Sequence, residues 1–310
     1  MISIPGNELL LFWQGVNISN IRGDTVRLDT KEYYQLEDPL FAGGGLLNQQ
    51  NAESNNRLIN RIEYRESILL QELKDNPYCA FLSVAKKPVV GEFNRQGYSF
   101  RVSAPVNGNL TFIKHLLADA FHIPPVQIEK VFDTTTVMLS RQHYTTHPIS
   151  GIGFCVKESE PYAQIYITNN RDTTRGIINR LNFDEACDNT CQLFNGCGFS
   201  HIEDEVLDLM NSMYSFGMFA AFFGLDISSV GIEKAKVYFR TTYRLDFDGI
   251  CKVLTKLFAL HGKCAELPRW EAVQKAICSQ KDNYIDCIAI AFKERTGVLA
   301  VDGVQFYLAP

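Results

Sequence analysis

Four short segments of the chain alternate polar and apolar residues with a period of two: Ser99-Phe100-Arg101-Val102-Ser103, Gln164-Ile165-Tyr166, Lys236-Val237-Tyr238-Phe239-Arg240 and Gln305-Phe306-Tyr307. In a strand, residues i and i+2 point to the same face. Each segment therefore sends hydrogen-bonding groups to one side and apolar groups to the other. Their anchors, Arg101, Gln164, Lys236 and Gln305, lie 63, 72 and 69 residues apart. One such strand carries little information; four at near-constant spacing predict a repeated unit that lines a single polar interior.

The segments between them supply the rest of that unit. An amphipathic pattern over 57–74 predicts a helix that Pro77 ends, followed by strands over 79–84 and 98–104. The same order recurs: helices over 110–121 and 127–140, separated by Pro124-Pro125, precede strands over 152–157 and 163–168. A long apolar helix over 203–223 leads to strands near 227–232 and 235–242. Helices over 248–261 and 270–279 precede a last pair over 285–293 and 298–308, joined at Thr296-Gly297. The chain thus reads as helix-helix-strand-strand, about four times over.

The fold class this predicts is α+β, with repeated ααββ units. Hairpins make consecutive strands antiparallel, and about ten of them with helices on one side can close into a barrel that removes the sheet edges. Such a barrel is too wide for side chains alone to fill. With Arg, Lys, Gln and Tyr facing inward, it is a helix-jacketed chamber. Residues 57–310 are expected to form this barrel. Residues 1–56 read as an irregular, Gly- and Asn-rich extension or cap over its mouth, the whole being one domain.

Composition narrows the function. The net charge of −5 argues against a nucleic-acid surface, so the basic residues that matter act locally. The N-terminal segment has an apolar Leu9 to Trp13 run but no basic region ahead of it, so no signal peptide is expected. The most apolar run, 216–225, is too short to span a bilayer and fits a buried helix. Nine scattered cysteines without a disulfide framework favour reduced thiols in a cytoplasm. Cys187, Cys191, Cys197 and His201 could in principle hold zinc, but spacings of three, five and three intervening residues match no common site. Small apolar residues around a loop are the better expectation there, and no metal ligand is assigned. The other histidines show no ligand spacing either.

Inside such a chamber, Arg101, Lys236 and Arg240, with Gln164 and Gln305, supply fixed donors. Positive charges gathered in a barrel need an anion to neutralise them. A diphosphate suits, with many acceptor oxygens for Arg and Lys. Tyr166, Tyr238 and Tyr307, two residues beyond donors, would offer ring faces that stabilise a nearby cation. Cations beside tyrosines are what ionisation of an allylic diphosphate requires: stabilisation of the leaving pyrophosphate and shelter of the carbocation from water. The competing possibility is that each Lys-x-Tyr-x-Arg strand is the solvated face of an ordinary sheet.

The unit of two helices and a hairpin, with strands carrying Gln164-Ile-Tyr166, Lys236-Val-Tyr238 and Gln305-Phe-Tyr307, resembles the ABBA-type aromatic prenyltransferases, over roughly residues 57–310. The resemblance implies a soluble, helix-ringed antiparallel barrel. It implies transfer of a dimethylallyl or geranyl group from its diphosphate to an electron-rich aromatic acceptor, most plausibly an indole-type natural product. By it, Arg101, Gln164, Lys236, Arg240 and Gln305 would bind diphosphate, and Tyr166, Tyr238 and Tyr307 would form a tyrosine shield. No Asp-Asp pair occurs in the chain, so the magnesium motif of prenyl-chain synthases is absent. The resemblance implies no required metal, although magnesium could assist. A monomer acting without nucleic acid or membrane is expected.

There are departures. The resemblance implies a glutamate on the first strand to take the indole proton, yet the stretch over 79–84 has no carboxylate. Glu92, expected in the hairpin loop, and Glu233 are the candidate substitutes. Two further functions remain open: prenylation of a peptide side chain, of the cyanobactin type, and non-catalytic binding of an anionic lipid-like ligand. Only Leu308-Ala309-Pro310 follows Tyr307, which leaves little to close that mouth and favours a larger acceptor.

Overall fold

The structure, a computed structural model, describes residues 10–19, 27–36, 89–94, 99–105, 110–119, 121–142, 149–156, 162–169, 183–199, 204–245, 252, 255, 256, 259, 284–295 and 298–309. Before Leu110 the description is of backbone alone. Ten strands are present: β1 Leu10–Ser19, β2 Arg27–Leu36, β3 Val89–Asn94, β4 Ser99–Pro105, β5 Ile149–Val156, β6 Tyr162–Thr168, β7 Met218–Ser228, β8 Gly231–Leu245, β9 Tyr284–Arg295 and β10 Val298–Ala309. Each pairs antiparallel with its neighbour in the chain, and β1 also pairs with β10, so the order β1-β10-β9-β8-β7-β6-β5-β4-β3-β2 returns on itself. Helices α1 Leu110–Asp119 and α2 Pro125–Gln142 separate β4 from β5; α3 Phe183–Gly196 and α4 Asp204–Ser215 separate β6 from β7. Helical backbone at Lys252, Thr255, Lys256 and Ala259 follows β8, at the place where a helix over 248–261 is predicted.

The sheet is apolar outside and polar inside. Ala163, Ile165 and Ile167 of β6, Phe223, Leu225 and Ile227 of β7, Val237 and Phe239 of β8, and Ile288, Ile290 and Phe292 of β9 are buried on one face. Helix α3 covers it. Its buried residues, Ala186, Asn189, Thr190, Leu193 and Phe194, recur at the three- and four-residue steps of a single helix stripe. Phe194 meets Phe223 and Phe292 with ring centroids 6.3 and 5.9 Å apart, in edge-on and tilted geometry. Each such ring pair is worth about 0.5–1.5 kcal/mol beyond area burial. Asp184 and Glu185 in the first turn of α3 complement its dipole.

Several expectations are corrected here. The extension was expected to cap the barrel, but β1 and β2 sit in the sheet itself, joined to β10 and β3. The first-hairpin strand lies at 89–94 rather than 79–84; the latter, like the predicted helices over 57–74 and 270–279, falls outside the described residues. The apolar run 216–225 is not a buried helix. Helix α4 ends at Ser215, Gly217 takes a positive φ of 74° that a helix does not continue, and β7 begins at Met218. A strand buried on both faces reads as a continuous apolar run, which periodicity cannot separate from a buried helix. The Cys187 to Cys197 stretch, expected as a loop, is helix α3 and its C-terminal turn.

Candidate active site in the barrel interior

Alternate strands of an antiparallel sheet run in the same direction, so β6, β8 and β10 are parallel to one another. On each of them the donor precedes the tyrosine by two residues: Gln164 then Tyr166, Lys236 then Tyr238, Gln305 then Tyr307. Each strand thus presents a donor and then, about 6.6 Å further along at 3.3 Å per residue, a tyrosine on the same face. Side-chain contacts gather Gln164 and Lys236 at a donor level and the three tyrosines at an aromatic level. Strand β7 runs the opposite way and inverts the order, with Phe222 at the aromatic level, Gly224, and then Asp226 at the donor level.

At the donor level three buried side chains form one network. Gln164 Nε2 donates to Asp226 Oδ1 at 2.6 Å, and Lys236 Nζ donates to the same oxygen at 3.2 Å. Lys236 Nζ also lies 3.1 Å from Asp226 Oδ2. Gln164 is 0 % exposed, Lys236 7 % and Asp226 8 %, so the ammonium and the carboxylate neutralise each other largely away from water. Gln305 is buried as well and stands on the donor side of Tyr307.

The aromatic level is a cage. Phe222 stacks on Tyr238 with centroids 4.3 Å apart and planes inclined by 16°. Tyr166 approaches Tyr238 at 6.1 Å and Phe222 at 6.3 Å, and Tyr307 closes on Tyr238 at 6.0 Å. Cys287 and Ala289 of β9 supply the small residues of this cluster. Gly224 makes the approach possible: a Cβ there would lie 3.0 Å from Tyr238 Cε2 and 3.2 Å from Gln164 Nε2. The site thus needs the absence of a side chain between its donor and aromatic levels.

Beyond the cage is a second ion pair. Arg240 Nη2 donates to both oxygens of Asp286 at 2.8 Å. On the other side of the donor level, Lys234 Nζ donates to Asp302 Oδ2 at 2.9 Å. Lys234, Asp302 and Asp226 line a cavity of about 190 Å³ together with Tyr162, Glu233 and Lys293. The register explains how acids reach these places. Asp302 and Asp286 are skipped by the β9–β10 pairing, and Glu233 by the β7–β8 pairing. A bulge frees the extra residue from strict alternation and re-aims its side chain.

The sequence candidates sort accordingly. Gln164, Lys236, Tyr166, Tyr238 and Tyr307 are brought together, with Gln305 beside them. Arg240 is not: it stands four residues from Lys236 on the same strand, about 13 Å away, with Tyr238 between them. Glu233 is exposed at the cavity rim. Glu92, expected in a loop, is on β3 directly opposite Arg101 of β4, which in turn faces Cys155 of β5; the side chains of Glu92 and Arg101 lie outside the described ones. Sequence reasoning missed Asp226, Asp286, Asp302, Lys234, Phe222 and Gly224. Lys234 was findable, since it extends the Lys236-Tyr238 alternation by one step; the three acids, each contributed by a different strand, were not.

Cys187, Cys191 and Cys197, three of the four zinc candidates, lie on α3 or its C-terminal turn. Among the described residues no group of three or more His, Cys, Asp and Glu side chains converges on one point; His201 is outside them. Cys187 and Cys191 stand one helical turn apart and half-buried. Burial pushes the Cys187 thiol up to about 11 and the fully buried Cys197 thiol up to about 12. Such thiols are poor nucleophiles at neutral pH. No described helix is long and apolar enough to cross a membrane.

No protein-family profile matches the chain, and no curated protein does. Solved structures do. AnaPT from Neosartorya fischeri superposes with a TM-score of 0.54 at 11% identity, covering 96% of this chain and 77% of that one. A 6-dimethylallyl tryptophan synthase matches with a TM-score of 0.54 at 10% identity, over 96% and 80% of the two chains. NotF in complex with brevianamide F and DMSPP matches at 0.50 and 12% identity, over 96% and 79%. The chain has the fold of the aromatic prenyltransferases.

Proposed function

We propose that this chain is an aromatic prenyltransferase, moving a dimethylallyl or geranyl group from its diphosphate to an electron-rich aromatic acceptor, with an indole-bearing compound the leading class. The observation that carries it is the stacking of two levels inside a prenyltransferase fold: buried Gln164 and Lys236, joined through Asp226, at one, and Tyr166, Phe222, Tyr238 and Tyr307 at the next. The structure of NotF with brevianamide F and DMSPP supports the pairing of a prenyl donor with an indole acceptor in such a fold.

In this reaction the donor level, with Arg101 of β4, takes the diphosphate. Donors fixed in place stabilise the charge that gathers on the departing oxygen as the carbon–oxygen bond breaks. The allylic cation is left among ring faces at the next level, where water is excluded and the quadrupoles attract it. The acceptor attacks from the far side, toward Arg240 and Asp286, which makes that pair part of the acceptor region rather than of the diphosphate site. Proton loss follows bond formation, with Glu92 of β3 and Glu233 the candidate acceptors; both stand toward the diphosphate end, so the proton passes to them late, through water or the departing pyrophosphate. No metal is required by these roles; magnesium would assist by neutralising diphosphate oxygens.

The test is direct. The protein is incubated with dimethylallyl or geranyl diphosphate and a panel of indoles, free tryptophan and tryptophan- or tyrosine-containing peptides. Pyrophosphate release and the product mass are followed. Prenylated product supports the proposal, and the preferred acceptor decides between small molecule and peptide. Donor binding without turnover on any acceptor would instead indicate a non-catalytic holder of an anionic lipid-like ligand. Absence of donor binding would overturn both.

A further inference from the structure

We infer that Asp226 is a built-in stand-in for the diphosphate, occupying the anion position when the site is empty and expelling pyrophosphate after transfer. This rests on the diphosphate site proposed above. The two groups best placed to hold a diphosphate at this level, Lys236 and Gln164, are both bound to one carboxylate that is itself buried. The carboxylate receives two donors on Oδ1, and its other oxygen also contacts Lys236, the pattern a phosphate oxygen would show. It arrives from β7, the strand that lies between β6 and β8 and delivers an acid to the level where those two deliver donors.

Two consequences follow from charge. With the site empty, Asp226 holds the Lys236 side chain extended and the Gln164 amide turned toward the anion position, so the donors are set before ligand arrives. With diphosphate present, one anion replaces another on Lys236, and the displaced carboxylate lies a few ångströms from a multiply charged group. Like charges that close disfavour one another strongly. Ligand affinity is therefore held down, and the return of Asp226 to Lys236 helps pyrophosphate leave. The neighbouring cation on the same strand has its own carboxylate, Lys234 with Asp302, and Arg240 beyond the cage has Asp286. Neither of those pairs includes Gln164, so neither occupies the donor level.

The experiment uses inorganic pyrophosphate and the full chain. Its dissociation constant is measured by calorimetry for the wild type, D226N, K236M, the double variant and D286N. The inference expects D226N to bind pyrophosphate about tenfold more tightly, the scale of one charge-assisted contact. It expects a smaller gain from D226N in the K236M background, where only the like-charge repulsion is relieved, and no gain from D286N. In turnover, D226N should show a lower KM for the prenyl diphosphate, a lower kcat and stronger pyrophosphate inhibition. Should D226N fold poorly, D226S serves in its place, and the rise in melting temperature with pyrophosphate reports the same ordering of affinities. Unchanged or weaker binding by folded D226N overturns the inference, as does an equal gain from D286N, which would mean a general interior field. Failure of every protein to bind pyrophosphate or prenyl diphosphate would instead overturn the diphosphate site itself.

Discussion

Tyr238 is the centre of the proposed shield, and truncating it in two ways separates the roles of its ring and its hydroxyl. It is 2 % exposed, stacked on Phe222 at 4.3 Å and near Tyr166 and Tyr307 at 6.1 and 6.0 Å. Tyr238→Phe retains all three ring contacts and loses the hydroxyl, whose hydrogen bonding is worth about 1 kcal/mol, or roughly a fivefold change at most in turnover. Tyr238→Ala removes the ring face nearest the others. A desolvated cation–ring contact is worth about 2 kcal/mol, which alone lowers the rate roughly thirtyfold. The cavity left behind costs about 3–5 kcal/mol of stability, so the variant must be assayed well below its melting point. The assay scores prenylated product against prenyl alcohol, because water reaching the cation gives alcohol. The expected outcome is near-normal partitioning in Tyr238→Phe and a large alcohol fraction in Tyr238→Ala. Equal effects of the two substitutions would show that the hydroxyl does the work and would refute the shield.

Gly224→Ala should cost about 1–3 kcal/mol of stability and weaken donor binding, because its Cβ meets Tyr238 and Gln164 at 3.0 and 3.2 Å; an unchanged melting temperature and KM would show that both side chains yield freely. Glu92→Gln should lower turnover by less than about tenfold, since the proton leaves after the hard step; loss of all turnover with donor affinity intact would make Glu92 a committed base. Alkaline pH should destabilise the fold through Cys197, whose thiol is raised from 9.0 to about 12 by burial. The unfolded thiol ionises first, so this contribution is whole below about pH 9 and declines as the pH rises toward 12. Thermal melts across that range should fall less steeply for Cys197→Ala, and an identical slope would remove Cys197 as the cause.

The inner face of the barrel was legible from the chain because alternation is a local property. Gln164-x-Tyr166, Lys236-x-Tyr238 and Gln305-x-Tyr307 needed only the period of a strand to be placed on one side together. The errors came where local pattern is degenerate. Met218 to Leu225 of β7 is apolar on both faces, toward helix and toward cage, so the run over 216–225 read as a helix. Helix α3 carried a clean stripe of Ala186, Asn189, Thr190, Leu193 and Phe194, but its interleaved cysteines drew attention to ligand spacing instead. Residues 10–36 lacked a neighbouring helix pair to mark them as part of the repeat, and only their pairing with β10 and β3 reveals their place.

What the sequence determined by itself was which residues share a face and in what order donor and tyrosine follow one another, since both depend on spacing along one strand. What the tertiary structure decided was charge. Lys236 and Arg240 read as unbalanced cations awaiting an anion, but each of them, like the unread Lys234, meets a carboxylate from another strand: Asp226 for Lys236, Asp286 for Arg240 and Asp302 for Lys234. Those partners lie 10, 46 and 68 residues away, and two of them, Asp286 and Asp302, are aimed by bulges. Strand direction and register, which belong to the closed set of pairings and not to any one segment, place Asp226 between Lys236 and Gln164.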